Sequence, residues 1–157
     1  MTVDVQRLGS SPLTREWIEI VFSEQSNMDS LQPNCRNSAF RDELFSDICS
    51  NRILGLIPAV DGVGAGLFYG SWCDGGFYTV HQFVMPRFRG WPAFACARAC
   101  AVKAFEILTD VTHLVGFIPA NNRASIICAK KAGFHRCGVI PEMHDGAGCV
   151  VMVRKRG

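Results

Sequence analysis

A series of apolar runs cut by glycine turns, Arg52 to Met85, gives way to proline, arginine and a long alanine-rich segment, and this order leaves few folds open. Ile53 to Ala59, Val63 to Tyr69 and Phe77 to Met85 have the length and composition of strands. Asp61-Gly62 and Asp74-Gly75-Gly76, which separate them, tolerate positive φ, as tight reversals require, so the three runs predict an antiparallel meander. Pro86-Arg87-Phe88-Arg89-Gly90 then breaks the sheet. Beyond it Pro92 opens a helix to about Leu108, with Phe94, Ala97, Ala101, Phe105 and Leu108 at helical spacing.

The flanking segments complete the pattern. Val3, Val5 and Leu8 alternate loosely with polar residues and predict a short first strand. Ser11 before Pro12 offers a capping hydroxyl ahead of a proline suited to a first helical turn, and Trp17, Ile18, Ile20, Val21 and Phe22 supply that helix's apolar face. From Ser26 onward Asn27, Asp29, Ser30, Pro33 and Asn34 favour turns, which predicts a polar loop past Pro33. A second helix spans Ser38 to Ile48. A strand from Leu114 to Ile118 ends at Pro119, and Asn121-Asn122 can cap a helix from Arg123 to Ala132 that Gly133 terminates. Strands at Arg136 to Ile140 and Cys149 to Arg154, separated by Asp145-Gly146, finish the chain. The order β-α-α-β-β-β-α-β-α-β-β predicts one mixed α/β domain over residues 1–157, without repeat or linker.

Composition narrows what such a domain does. With 157 residues, 48% of them hydrophobic and 19% charged, the chain has material for one core, too little length for two domains and too many apolar residues for disorder. No apolar run reaches the roughly 18 residues that span a bilayer, and the N-terminus lacks a basic segment followed by an apolar one, so a cytoplasmic protein without membrane contact is expected. A net charge of +2 argues against a dedicated nucleic-acid binder. The eight cysteines contain no C-x-x-C pair, so free thiols are expected in place of disulfides or a metal site. Cys96 and Cys100, four apart in the alanine-rich helix, read as small core hydrophobes.

A helix N-terminus presents unpaired N–H groups and the positive end of its dipole, so a loop with Arg87, Arg89 and Gly90 leading into one suits a phosphate or pyrophosphate. An ordinary surface loop has the same look. Asn122-Arg123-Ala124-Ser125 followed by Lys131-Ala132-Gly133-Phe134 resembles the N-x-x-S-x-x-x-x-x-K-x-G-F motif of the GNAT superfamily of acyl-CoA-dependent N-acetyltransferases. Val84-Met85-Pro86-Arg87-Phe88-Arg89-Gly90 is similar to that family's V-x-P-x-x-R-G segment. The two motifs occur in the family's order, and the likeness covers most of residues 52–157.

The resemblance implies a splayed, mostly antiparallel sheet flanked by helices, in which the strand ending at Met85 and the strand ending at Ile118 part as a V that takes acetyl-CoA. The pantetheine would pair with backbone at Phe83, Val84 and Met85. Its pyrophosphate would lie over Arg87, Phe88, Arg89, Gly90, Trp91 and Ala93, and Asn122 would hold its far side. Three positions depart from the family. Pro92, in the pyrophosphate turn, has no N–H; Ala93 can take its place. Ala129 stands where many members carry a tyrosine that protonates the CoA thiolate, which leaves Ser125 or water. No Asp or Glu lies between Phe77 and Met85 to serve as base, which leaves His81, whose imidazole titrates near neutral pH; an apolar strand face also houses ordinary core histidines. His113, His135 and His144 lack motif support, while Glu142 and Asp145 could line the acceptor side or simply be turn residues. The resemblance implies acetyl transfer to an amine, on a small molecule or a protein, with no metal. The alternative is a catalytically degenerate GNAT-fold structural or assembly component, since the chain is also similar, more loosely, to small GNAT-like proteins of bacteriophages. That would place it in a host cytoplasm or a virion, as a homo-oligomer or part of a larger assembly. A CoA-binding regulator lies between the two readings.

Overall fold

The computed structural model describes residues 1–157 apart from 30, 32–34, 144, 145 and 147. Its strands are β1 (Val3–Arg7), β2 (Ile53–Val60), β3 (Val63–Gly64), β4 (Gly66–Trp72), β5 (Phe77–Val84), β6 (His113–Pro119), β7 (His135–Ile140) and β8 (Cys149–Lys155). Its helices are α1 (Pro12–Ser23), α2 (Gln25–Met28), α3 (Ser38–Cys49), α4 (Trp91–Ile107) and α5 (Arg123–Lys131). One sheet runs in the order β1-β2-β4-β5-β6-β8-β7, with β3 paired to β2. Every pairing is antiparallel except β5 with β6. No helix among the described residues is long and apolar enough to cross a membrane.

Local chemistry sets the helix ends. The Ser11 hydroxyl accepts from the N–H of Leu13 and Pro12 opens α1; the Asn37 side chain accepts from the N–H of Phe40 at α3; and Asn122 Oδ1 accepts from the N–H of Ser125 at α5. Gly133, at φ 90°, closes α5: its own N–H bonds Lys130 O and the next N–H, of Phe134, bonds Ala129 O. Such a paired closure needs a left-handed residue, which glycine adopts without a Cβ clash.

The strand period of two divides the core between two faces. Leu54, Leu56, Phe68, Tyr78 and Val80 pack on α4 through Ala97, Cys100, Ala101 and Ala104. Leu67, Tyr69 and Phe83 face the other way, onto Ile18, Val21 and Phe22 of α1 and Leu44 and Ile48 of α3. Cys96 and Cys100 are fully buried, as expected of small core hydrophobes.

Two elements correct the sequence expectation. The segment expected to leave helix at Ser26 contains the four-residue α2, while Ser30, Pro33 and Asn34 of the expected loop lie outside the described residues. The buried Asn27 side chain donates to Val21 O at 2.9 Å, a tertiary bond that holds this turn against its poor helix formers. The run Val63 to Tyr69 is also not one strand. It splits at Ala65, whose N–H bonds Pro58 O and whose carbonyl accepts from Met85 N. Here Trp17 lies across the strand, its Nε1 donating to Gly66 O at 3.0 Å; a Cβ at Gly64 would stand 2.4 Å from the Trp17 ring.

Candidate active site

The site begins where two strands separate. β5 and β6 pair in parallel only at Phe77 with His113, Tyr78 with Leu114 and Thr79 with Val115. Beyond Thr79, β5 continues to Val84 and β6 to Pro119 without a partner in each other. Met85 N bonds Ala65 O and Phe77 O receives Cys73 N, so the odd-numbered residues of β5 turn their backbone groups toward β4. By strand alternation the N–H and C=O of Gln82 and Val84 face the gap. This opening is a free strand edge of the kind that an extended, amide-bearing ligand can extend by one strand.

α4 begins at the mouth of the opening. Gly90 precedes it at φ 83°, ψ −135°, a region that side chains disfavour, and no side chain among the described residues caps the helix. The first-turn N–H groups of Trp91 and Ala93 therefore remain donors for an anion, while Pro92 supplies none and the Phe94 N–H begins the helix's own bonding to Gly90 O. A cleft of about 670 Å³ joins the two features, bounded by β5, β6, the start of α4, α5 and part of α2.

Of the expected site residues, His81, Ser125, Phe83, Val84, Arg89, Gly90, Ala93 and Asn122 line this cleft. Met85, Arg87, Phe88 and Trp91 do not. The Arg87 guanidinium lies 4.8 Å from the Phe88 ring centroid, and Trp91 is exposed beside the mouth with its ring edge on Phe94. Arg89 Nη2 donates to Ser26 Oγ of α2, bridging the cleft mouth. Glu142 is exposed and does not line the cleft, and Asp145 and His144 lie outside the described residues.

His81 is not an enclosed core histidine, because its side chain reaches solvent in the cleft. Its ring stacks on Tyr69 at 5.0 Å, and Tyr69 stacks in turn on Phe83 at 6.0 Å, so three aromatic side chains form one wall on the α1 and α3 face. The crowding around the ring lowers the imidazole pKa from its usual value, which favours the neutral, proton-accepting form at pH 7. On the opposite wall, Cys128 Sγ is 3.7 Å from Ala93 O, and burial, with Cys96 nearby, pushes its thiol up to about 11. Cys128 is thus a protonated filler and not a ready nucleophile.

Sequence reasoning missed Gln82, Ser26 and Asn27. The signal for Gln82 was available: it is polar at a strand position whose same-face neighbours, Val80 and Val84, are apolar. Ser26 and Asn27 carried no such signal, since their place in the cleft depends on how α2 folds back.

No known protein family and no curated protein matches this sequence at a significant level. Solved structures do match it. The aminoglycoside acetyltransferase AAC(6')-Ib, in complex with ribostamycin and coenzyme A, superposes with a TM-score of 0.76 at 15% identity, over 99% of this chain and 94% of that one. The fold is that of the GNAT acetyltransferases. A ribosomal-protein-alanine N-acetyltransferase from Brucella melitensis matches at TM-score 0.76 and 14% identity, covering 98% of this chain and 99% of that chain. A protein of the GNAT family from Desulfovibrio desulfuricans gives 0.73 and 14% over the same shares. The mostly antiparallel open sheet with its flanking helices belongs to that fold.

Proposed function

We propose that this protein is an acetyl-CoA-dependent N-acetyltransferase that passes the acetyl group directly to an amine. The observation that carries this reading is the free edge of β5 leading to the uncapped start of α4. The edge offers the peptide groups of Gln82 and Val84 to the amides of a pantetheine arm, whereas Phe83 and Met85, expected to share this pairing, turn theirs to β4, and the helix offers N–H groups and a positive dipole end to a pyrophosphate. Arg87 and Arg89 supply charge there, and Phe88, Gly90, Trp91 and Ala93 shape the turn, with Asn122 opposite. That AAC(6')-Ib was solved with coenzyme A in the same fold supports this choice of donor.

In this reading the two faces of β5 serve the two substrates. The amine approaches from the α1 and α3 side, where His81 takes its proton. The nitrogen attacks the thioester carbonyl, the C–N bond forms, the C–S bond breaks, and the thiolate leaves with a proton from water or Ser125. A thioester is activated enough that alignment and a modest base suffice. The acceptor is a small-molecule or protein amine, and the neighbours include enzymes named for each.

Pro92 and Ala129 favour a second reading, a GNAT-fold component of a larger assembly, such as a phage virion, that has lost catalysis. One pyrophosphate donor and the customary phenol are missing. Calorimetric titration with acetyl-CoA, followed by an assay of CoA release over a panel of amines and protein extracts, separates the two. Binding with turnover supports the transferase. Absence of both, with stable incorporation into an assembly, supports the structural component.

A further inference from the structure

Gln82 sits at the centre of the opening, and its side chain is out of keeping with its surroundings. Alternation along β5 sends it to the α4 face with Tyr78, Val80 and Val84, and it lines the cleft with Ala93 and Phe94. Its Nε2 is shielded from solvent and has no hydrogen-bond partner among the described residues. A buried amide nitrogen is a donor only, and leaving it unpaired is costly, so native structures satisfy such groups with few exceptions. An apolar side chain would fill this position between Val80 and Val84 without that cost.

We propose that the Gln82 side-chain amide is a ligand-positioning group that turns into the gap between β5 and β6 and donates a hydrogen bond to a carbonyl oxygen of the acyl-pantetheine arm there. The inference rests on the reading of the cleft as an acetyl-CoA site. Gln82 would then meet the arm twice: its main-chain N–H and C=O lie in the plane of the sheet across the gap, and its side chain closes from the α4 side. Two kinds of carbonyl satisfy the same donor, the amides of pantetheine and the acyl group of the thioester.

Gln82→Leu removes the donor at nearly constant volume, with Gln82→Met as the second variant should the first not fold. Affinities for CoA and for acetyl-CoA are measured by calorimetry, and the melting temperature of the free protein is measured alongside. The expected result is a roughly five- to tenfold loss of affinity, with a ligand-free melting temperature equal to or above that of the wild type, because an unsatisfied buried donor has gone. Loss for acetyl-CoA alone assigns the bond to the acyl carbonyl; equal loss for both ligands assigns it to a pantetheine amide. Affinities within twofold of wild type for both ligands overturn the proposal, as does a drop in ligand-free melting temperature that marks Gln82 as a packing residue. If the wild type binds neither ligand, the cofactor reading itself fails and the role of Gln82 falls with it.

Discussion

Tyr78→Phe tests the joint from which the V opens. Tyr78 is 1% exposed, and its hydroxyl accepts the N–H of Leu54 at 2.9 Å and donates to the carbonyl of Gly70. Leu54 and Gly70 are register partners on β2 and β4, so the phenol bridges two strands from a third. Gly70 makes room for it, since a Cβ there would come within 2.6 Å of the Tyr78 ring. Removing the hydroxyl orphans the buried Leu54 N–H, at about 1–3 kcal/mol, and takes one donor from Gly70 O, at about 1 kcal/mol, for a total of about 2–4 kcal/mol. At roughly 2–4 °C per kcal/mol in a domain of this size, melting falls by about 4–16 °C. Equilibrium urea unfolding should show a lower midpoint with an unchanged m-value, because the ring stays buried. Burial also raises the Tyr78 pKa, so the native state holds the phenol proton while the unfolded chain releases it. Stability therefore declines as pH rises past the unfolded tyrosine value of about 10, and the variant should show a shallower decline. A stability change under about 0.5 kcal/mol would refute the bridging role.

Arg89→Ala should weaken acetyl-CoA binding about 5- to 30-fold, the range for a charge-assisted bond that must first release Ser26; unchanged affinity removes Arg89 from the site. His81→Gln should lower kcat by roughly 10²-fold while sparing acetyl-CoA affinity. Because desolvation lowers the native His81 pKa, the acid limb of kcat/KM should fall below the ordinary histidine value of about 6.5, and native stability should decline as pH drops through that value toward the lower native one. A variant profile that overlays the wild type would assign the base elsewhere. Asn122→Ala should cost about 1 kcal/mol of stability through the lost cap on Ser125 N and also weaken ligand binding; a stability loss alone confines Asn122 to capping.

The parts of this molecule written in local chemistry are legible in the sequence. Ser11-Pro12, Asn122 and Gly133 mark helix ends because each acts on backbone groups a few residues away. The strand meander was legible through Asp61-Gly62 and Asp74-Gly75-Gly76, where Asp61, Gly62, Gly75 and Gly76 all take positive φ. The break at Ala65 was not, because its cause is Trp17, 48 positions upstream and packed against Gly64. Nor was α2, whose anchor is the bond from Asn27 to Val21 O. The same division runs through the site. Motif spacing pointed to the start of α4 and to Asn122. The exposure of His81 on its aromatic wall and the link from Arg89 to Ser26 arise only when β4, α2 and the loop before α4 meet.

The opened strand pair bears on the choice between enzyme and scaffold. Pairing through Val84 would add several ladder bonds at about 0.5–1.5 kcal/mol each and would satisfy groups that now face the gap. A protein selected only to hold an assembly together gains from that closure, and the sheet on either side is paired continuously: β4 with β5 through Val84, and β6 with β8 through Pro119. The parting is confined to the place where the uncapped end of α4 and the Gln82 Nε2, without a partner among the described residues, also lie. Three unsatisfied sets of donors meeting in one cleft are what a ligand rich in carbonyls and phosphates would complete. Against this, Pro92 withdraws a single N–H and Ala129 withdraws an acid that water can replace, because a thiolate is a tolerable leaving group. Fold alone does not assign function, so the proposed transferase rests on this coincidence of unmade bonds, which points to a bound ligand.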